Sequence, residues 1–180
     1  MTRLLHAILT GLIGAGIVHI AVLMLVPGFS VRDAWTVLSA QSNYYTFTRL
    51  DPPDRAPLIS SLDPLLDAVA CRFDLGKGVV HIVGAGSVPY WSISVYDRSG
   101  RNIYSFNDRS STQGDVDFVV ATAVQMVALR NALPADYDRS VFVEADIDEG
   151  IAVIRAFAPD ASWEPTVSSY LASLKCTLGD

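Results

Sequence analysis

The run from Leu4 to Val26 restricts the folds open to this chain more than any other stretch, because its 23 residues include no Asp, Glu, Lys or Arg. As a helix rising about 1.5 Å per residue it covers roughly 34 Å, enough to cross the hydrocarbon layer of a bilayer. A cleavable secretion signal is the alternative, with Gly28 and Ser30 small enough for a weak cleavage site. Such signals carry an apolar core of only about 7–15 residues, so the length favours an uncleaved anchor. Ala7, Gly11 and Ala15 recur at every fourth position and His19 extends the stripe, a pattern that lets a second helix approach closely in lipid. An imidazole at this depth marks either a proton relay or a bond to a neighbouring helix. With no acidic residue in the segment, packing is the expected role of His19.

Charge says little about orientation: Arg3 and the α-amino group on one side face Arg32, offset by Asp33, on the other. A short leader before an anchor leaves the long remainder outside, so the expectation is a bacterial inner-membrane protein with its N-terminus cytoplasmic and its main domain periplasmic. The 180-residue chain has a net charge of -6 and no Lys/Arg run. That argues against a nucleic-acid binder working by counterion release, and against a polybasic lipid patch.

Pro27-Gly28 reads as a break. Ser30 then caps a short helix in which Val31, Trp35 and Leu38 share a face, with Trp35 at the membrane interface. Residues 41–57 are polar and aromatic and hold Asp51-Pro-Pro-Asp-Arg-Ala-Pro57, whose prolines prevent regular helix. This is a connector, with Tyr44 and Tyr45 packing back on the domain. Residues 1–27 are thus the anchor, 28–58 a juxtamembrane helix and connector, and 59–180 a β-rich domain.

Within that domain the clearest signal is a hairpin: Trp91 to Tyr96 and Asn102 to Phe106 alternate in polarity around Asp97-Arg98-Ser99-Gly100. A four-residue loop sets Tyr96 opposite Arg101, Val95 by Asn102, Ile93 by Tyr104 and Trp91 by Phe106, making one face apolar. Ser92, Ser94, Tyr96 and Ser105 occupy the other face. Before the hairpin, Val69, Cys71, Phe73 and Leu75 alternate along one strand, and Val79 to Val83 form the next. After it come Phe118 to Ala121, a helix capped by Thr122 with Val124 and Val127 inward alongside Ala128 or Leu129, and two strands joined by Asp146-Ile-Asp-Glu-Gly150. Ser162 caps a closing helix with Trp163, Val167, Tyr170, Leu171 and Leu174 on one stripe. The expected fold class is α+β, β-rich: a transmembrane helix followed by a β-sandwich or partial barrel with two peripheral helices, rather than a βαβ sheet.

Cys71 and Cys176 are too few for a disulfide-rich scaffold or a thiolate-only zinc centre. They lack CxxC spacing and a histidine companion, so a structural bridge is expected over a reactive or metal-binding pair. It would staple the closing helix to the first strand.

Asp63-Pro-Leu-Leu, Ala70-Cys-Arg-Phe-Asp-Leu75, the hairpin from Pro89 to Asn102, Asn107-Asp-Arg109 and Glu149 to Asp160 together resemble the short, membrane-anchored bacterial form of the domain of unknown function (DUF) 1254 family. The resemblance covers most of residues 60–176. It implies a β-sheet-rich domain often found beside a DUF 1214 companion, and brings no settled activity and no catalytic residues.

Motifs for chemistry are sparse. His81 is the one imidazole outside the anchor and sits in a strand, which leaves no multi-histidine metal site. There is no Gly-x-Ser-x-Gly elbow, no P-loop and no dinucleotide fingerprint at Gly84-Ala-Gly86. The acidic groups Asp115/Asp117, Asp136/Asp138 and Asp146/Asp148/Glu149 lack EF-hand spacing and read as solvated turns. No cofactor or metal is expected. The best polar candidate is the base of the hairpin, where Tyr90, Asn107, Asp108 and Arg109 offer donors and acceptors at a sheet rim. The functional expectation is an accessory or binding module of an envelope protein complex, embedded in the bilayer through residues 4–26, with a DUF 1214 companion as partner and no nucleic acid. An envelope hydrolase using Asp108 or His81 as base is one alternative. A small-ligand or lipid carrier, which requires an apolar pocket, is the other.

Overall fold

Alternation along the strands from Val69 to Phe157 puts large apolar side chains on one face of each of two sheets, and those faces meet. The computed structural model describes residues 2–52, 54, 57, 58, 63–111 and 115–179, with residues 27–34 in backbone only. Helix α1 (Thr2–Gln41) is followed by strands β1 (Phe47–Arg49), β2 (Leu66–Asp74), β3 (Val79–Gly84), β4 (Trp91–Asp97), β5 (Asn102–Asn107) and β6 (Val116–Ala121). Then come α2 (Ala123–Asn131), β7 (Val141–Glu144), β8 (Glu149–Phe157), α3 (Glu164–Ser173) and β9 (Lys175–Gly179). One sheet has the order β1-β2-β8-β4-β5 and is antiparallel throughout; the other is β7-β6-β3-β9. The fold is α+β and β-rich, a sandwich with an N-terminal apolar helix.

Between the sheets lie Phe73, Trp91, Ile93, Val95 and Ile154 from the first and Val80, Ile82, Phe118 and Val120 from the second, all essentially inaccessible to water. Burying a side chain of this size stabilises the fold by about 1.5–3 kcal/mol. Helix α3 closes one end of this core with Val167, Tyr170 and Leu171. Trp163, expected on the same stripe, stays partly exposed. The cap of this segment is Asp160, whose Oδ1 accepts the Ser162 amide at 2.8 Å, so Ser162 is capped rather than capping.

Several expectations change. The hairpin keeps its predicted faces except at Asn102, which lies opposite Tyr96 instead of Val95, and shifts its register by two residues: Ile93 lies opposite Phe106 and Val95 opposite Tyr104, with an irregularity between Val95 and Tyr96. Alternation specifies only the parity of a pairing; the loop sets the rest. Asp97 Oδ1 accepts the amides of Ser99 and Arg101, each at 2.9 Å, and Gly100 supplies a φ of 78°. Asp146 to Gly150 is not a hairpin turn: it carries the chain from one sheet to the other, as Gly76-Lys-Gly78 does between β2 and β3. Strands β6 and β7 are parallel, so one βαβ unit exists at an edge of the second sheet. A Thr122–Gln125 capping box starts its helix, and the Gln125 amide donates to the Leu75 carbonyl at 2.7 Å. That bond turns Met126 and Leu129 inward and leaves Val124 81% and Val127 56% exposed, opposite to expectation for both valines.

Nor does Pro27-Gly28 end the first helix. A proline removes one hydrogen bond, and α1 continues to Gln41. The side chains of Ser30 and Val31 lie outside the described residues, as do Pro53, Arg55 and Ala56 of the connector. Trp35 and Leu38 do share a face, but it is buried against the first sheet rather than left for a membrane interface. The connector also supplies β1, an edge strand paired with β2. Thr2–Val26 has a mean hydropathy of 2.3 and none of it is buried, so this one helix is long and apolar enough to cross a membrane.

Cys71 and Cys176 form a disulfide with Cα atoms 6.6 Å apart. Because Cys176 belongs to β9 and not to a tail after α3, the bond joins the two sheets. Closing a loop of this length limits the unfolded chain. Replacing both cysteines by alanine is expected to cost about 2–4 kcal/mol, read by urea unfolding of the full chain in micelles. Asp97 gives a second test. Burial opposes its ionisation, but the bonds from Ser99 and Arg101 outweigh that and hold its carboxyl below the usual range. A depressed folded value means stability present above the unfolded pKa of about 3.9 and lost as pH falls through the folded one. Asp97→Asn should remove that part of the acid-induced loss in a pH series of unfolding midpoints.

Candidate functional site

At the hairpin base, the local chain turns rather than converges. Asn107 Oδ1 accepts the Arg109 amide at 3.2 Å and so caps a 3-10 turn over Asp108–Ser110. That is the single hydrogen bond inside the predicted group Tyr90, Asn107, Asp108 and Arg109 among the described residues, and Arg109 points to solvent. What sequence reasoning missed is behind the turn. Asp108 Oδ1 and the Tyr170 hydroxyl are both buried without a hydrogen-bond partner. Burial, then the charges of Asp115 and Asp108, push the Tyr170 phenol well above its ordinary value.

His81 lies on the outer face of the second sheet. Its Nε2 is 3.0 Å from Asp117 Oδ1, the same oxygen that accepts the Ser140 hydroxyl, while Ser140 Oγ is 3.5 Å from that nitrogen. A serine-activating relay needs the two ring nitrogens to face different partners. Here one nitrogen and one carboxylate oxygen serve all three groups, and the Tyr137 ring packs edge-on at 4.7 Å. The arrangement anchors strands to the turn before β7. Ala7, Gly11, Ala15 and His19 are all exposed, and nothing lies within 4 Å of a Cβ built on Gly11.

The strongest site is on the outer face of the first sheet, where the last turns of α1 roof a cavity of about 430 Å³. Its floor is Ala68 and Ala70 of β2 with Ile151 and Val153 of β8, Ala70 lying opposite Val153 and Ala68 opposite Arg155. The two alanines give it depth. Val37 and Leu38 form the roof, and Leu50, Leu58 and Leu66 the sides. One end is polar. Arg155, next to Val153 on the same face, donates to Tyr96 Oη at 3.3 Å and to Ser94 Oγ at 3.4 Å. Ser105 and Asn102 extend this strip of donors and acceptors. Burial would raise the Tyr96 phenol, yet the bonds from Arg155 and Ser94 carry it below its usual value.

The roof is held by aromatic and cationic side chains. Buried Arg72 donates to the Ser42 carbonyl at 2.8 Å, and its guanidinium stands 4.4 Å from the Tyr44 ring centre and 5.4 Å from that of Trp35. Arg98 covers Trp35 at 5.3 Å and bonds Glu149 at 2.7 Å. The other Glu149 oxygen accepts the Tyr44 hydroxyl, a bond that, ahead of burial, raises the Tyr44 pKa. Tyr45 donates to the Asp74 carbonyl; both connector tyrosines pack back on the domain, as expected. Arg155 could have been found in the sequence as the lone charge inside the apolar run Ile151 to Phe157, and Ser94 and Tyr96 were visible as the polar face of the hairpin. The roof was not visible, because it joins residues over a hundred positions apart.

No protein-family model matches the chain, and no curated protein matches it. Solved structures share its fold. The VPA0106 protein from Vibrio parahaemolyticus matches with a TM-score of 0.62 and 13% identity over 86% of this chain and 36% of its own. A putative uncharacterized protein from Burkholderia cenocepacia matches with a TM-score of 0.54 and 16% identity over 83% of this chain and 40% of its own. The chain thus spans two fifths or less of the length of these neighbours.

The buried Tyr170 hydroxyl generates a test. Phenylalanine at this position removes a donor that has no protein acceptor, so Tyr170→Phe should hold stability level or raise it by about 1–3 kcal/mol, measured by urea unfolding.

Proposed function

We propose that this is a single-span inner-membrane protein whose sandwich stands on the periplasmic side, N-terminus in the cytoplasm, and serves as a binding and accessory module of an envelope assembly. The observation that carries the reading is the double use of one helix. The stretch Thr2–Val26 is bare and apolar, while Trp35 and Leu38 of the same helix are buried on the domain and Val37 and Leu38 roof its apolar cavity. A binding site formed by the continuation of a membrane-length helix lies close to where that helix would leave the bilayer. The Cys71–Cys176 bond supports the oxidising side, where disulfides persist.

A separate companion chain is part of the proposal. What supports it is that the two structural neighbours each hold more than this fold, being over twice as long as the portion this chain matches. The resemblance to the DUF 1254 family, whose domain often stands beside a DUF 1214 domain, points the same way. The hydrolase alternative has less support, since His81, Asp117 and Ser140 meet at one carboxylate oxygen.

Gentle extraction of natively expressed protein after amine cross-linking should recover one envelope protein in fixed ratio, and a C-terminal alkaline phosphatase fusion should be active. A lone monomer in the first experiment would overturn the accessory role. An inactive fusion, with both thiols open to alkylation in cells, would overturn the placement.

A further inference from the structure

We infer that the cavity beneath α1 binds a single-chain anionic amphiphile, its hydrocarbon on the alanine floor and its carboxylate or phosphate on Arg155. This rests on the membrane attachment proposed above, which supplies the ligand from the bilayer. The volume of about 430 Å³ falls within the range of roughly 300–1,000 Å³ seen for small-molecule sites. Aliphatic side chains line most of it, so an alkyl chain fits its walls.

The polar end selects the head. Arg155 is half-buried and forms no ion pair among the described residues; its two bonds, at 3.3 and 3.4 Å, are long and go to neutral hydroxyls. Nearby arginines are committed: Arg49 to Asp67, Arg98 to Glu149, Arg101 to Asp97 and Arg72 to Ser42 and aromatic faces. A guanidinium has five N–H donors in a fork matched to carboxylate or phosphate, and hydrogen bonds of this kind strengthen where water is partly excluded. Ser94, Ser105 and Asn102 continue the polar strip for the remaining head-group oxygens. The acidic lining residue, Asp63, is exposed, so solvent screens its charge more than that of the half-buried Arg155.

The test uses the full chain in phosphatidylcholine nanodiscs with photoactivatable dodecanoate, dodecyl phosphate and dodecanol of matched chain. Both anions should label peptides that carry Ala68, Ala70 or Val153 and bind about tenfold or more tightly than the alcohol; which anion is tighter identifies the head. Arg155→Gln should erase that preference while the alcohol still binds, and Arg155→Lys should keep part of it. Val37→Trp, which fills the cavity from its roof, should block all three. Equal binding of anion and alcohol to the natural chain would overturn the head-group assignment. Labelling unchanged by Val37→Trp would overturn the site itself. Neither result depends on a companion or on the phosphatase fusion, so failure here is separate from failure of the accessory reading.

Discussion

A buried guanidinium that pairs with no carboxylate among the described residues decides how this molecule is put together. Arg72 sits on the outer face of the first sheet, where a bare cation would be costly to cover. Its charge is met instead by the Ser42 carbonyl and hydroxyl and by the faces of Tyr44 and Trp35. Those partners come from the end of α1 and the segment just after it. Satisfying Arg72 therefore docks the helix, and the docked helix brings Leu38 over Ala68, Ala70 and Val153. Without the docking there would be an exposed apolar sheet face and no cavity.

The same logic explains why the first sheet is buried on both faces. Cys71 and Phe73 look inward to the second sheet, whereas Ala68 and Ala70 look outward to the helix end. Central strand β8 does likewise, with Ile154 inward and Val153 outward. The polar exceptions on the outer face cluster toward β4 and β5: Ser94, Tyr96, Ser105 and Arg155. An apolar hollow thus borders a hydroxyl and guanidinium strip. That boundary is the most chemically specific feature of the structure, and it is produced by strand pairing rather than by a motif.

The disulfide acts at another level. Each sheet already has its hydrogen-bonded ladder, and the core between them is held by nonpolar contact, which has no fixed direction. A covalent bond from β2 to β9 fixes one point of one sheet against the other. It also ties the end of the chain to the sheet that carries the cavity floor. The second sheet holds the parallel β6–β7 pair and the His81–Asp117–Ser140 contact.

Read alone, the sequence determined the apolar helix, the faces of nearly every strand, the capping of α2 by Thr122 and the pairing of the two cysteines, because these follow from local periodicity, side-chain chemistry and a count of two. It also marked Ser94, Tyr96 and Ser105 as one polar face. The hairpin register, the parallel β6–β7 pair, the inward face of α2 and the strand that carries Cys176 were decided only by the tertiary structure. Each depends on a partner distant in sequence, such as Leu75 for Gln125 or β3 for β9. The predicted polar site at Tyr90, Asn107, Asp108 and Arg109 was legible as residues but not as geometry, since a turn that caps itself looks the same in sequence as one that binds. The cavity lay beyond reach for the strongest reason: its floor, roof and charged end come from four separate stretches, and only folding brings them to one place.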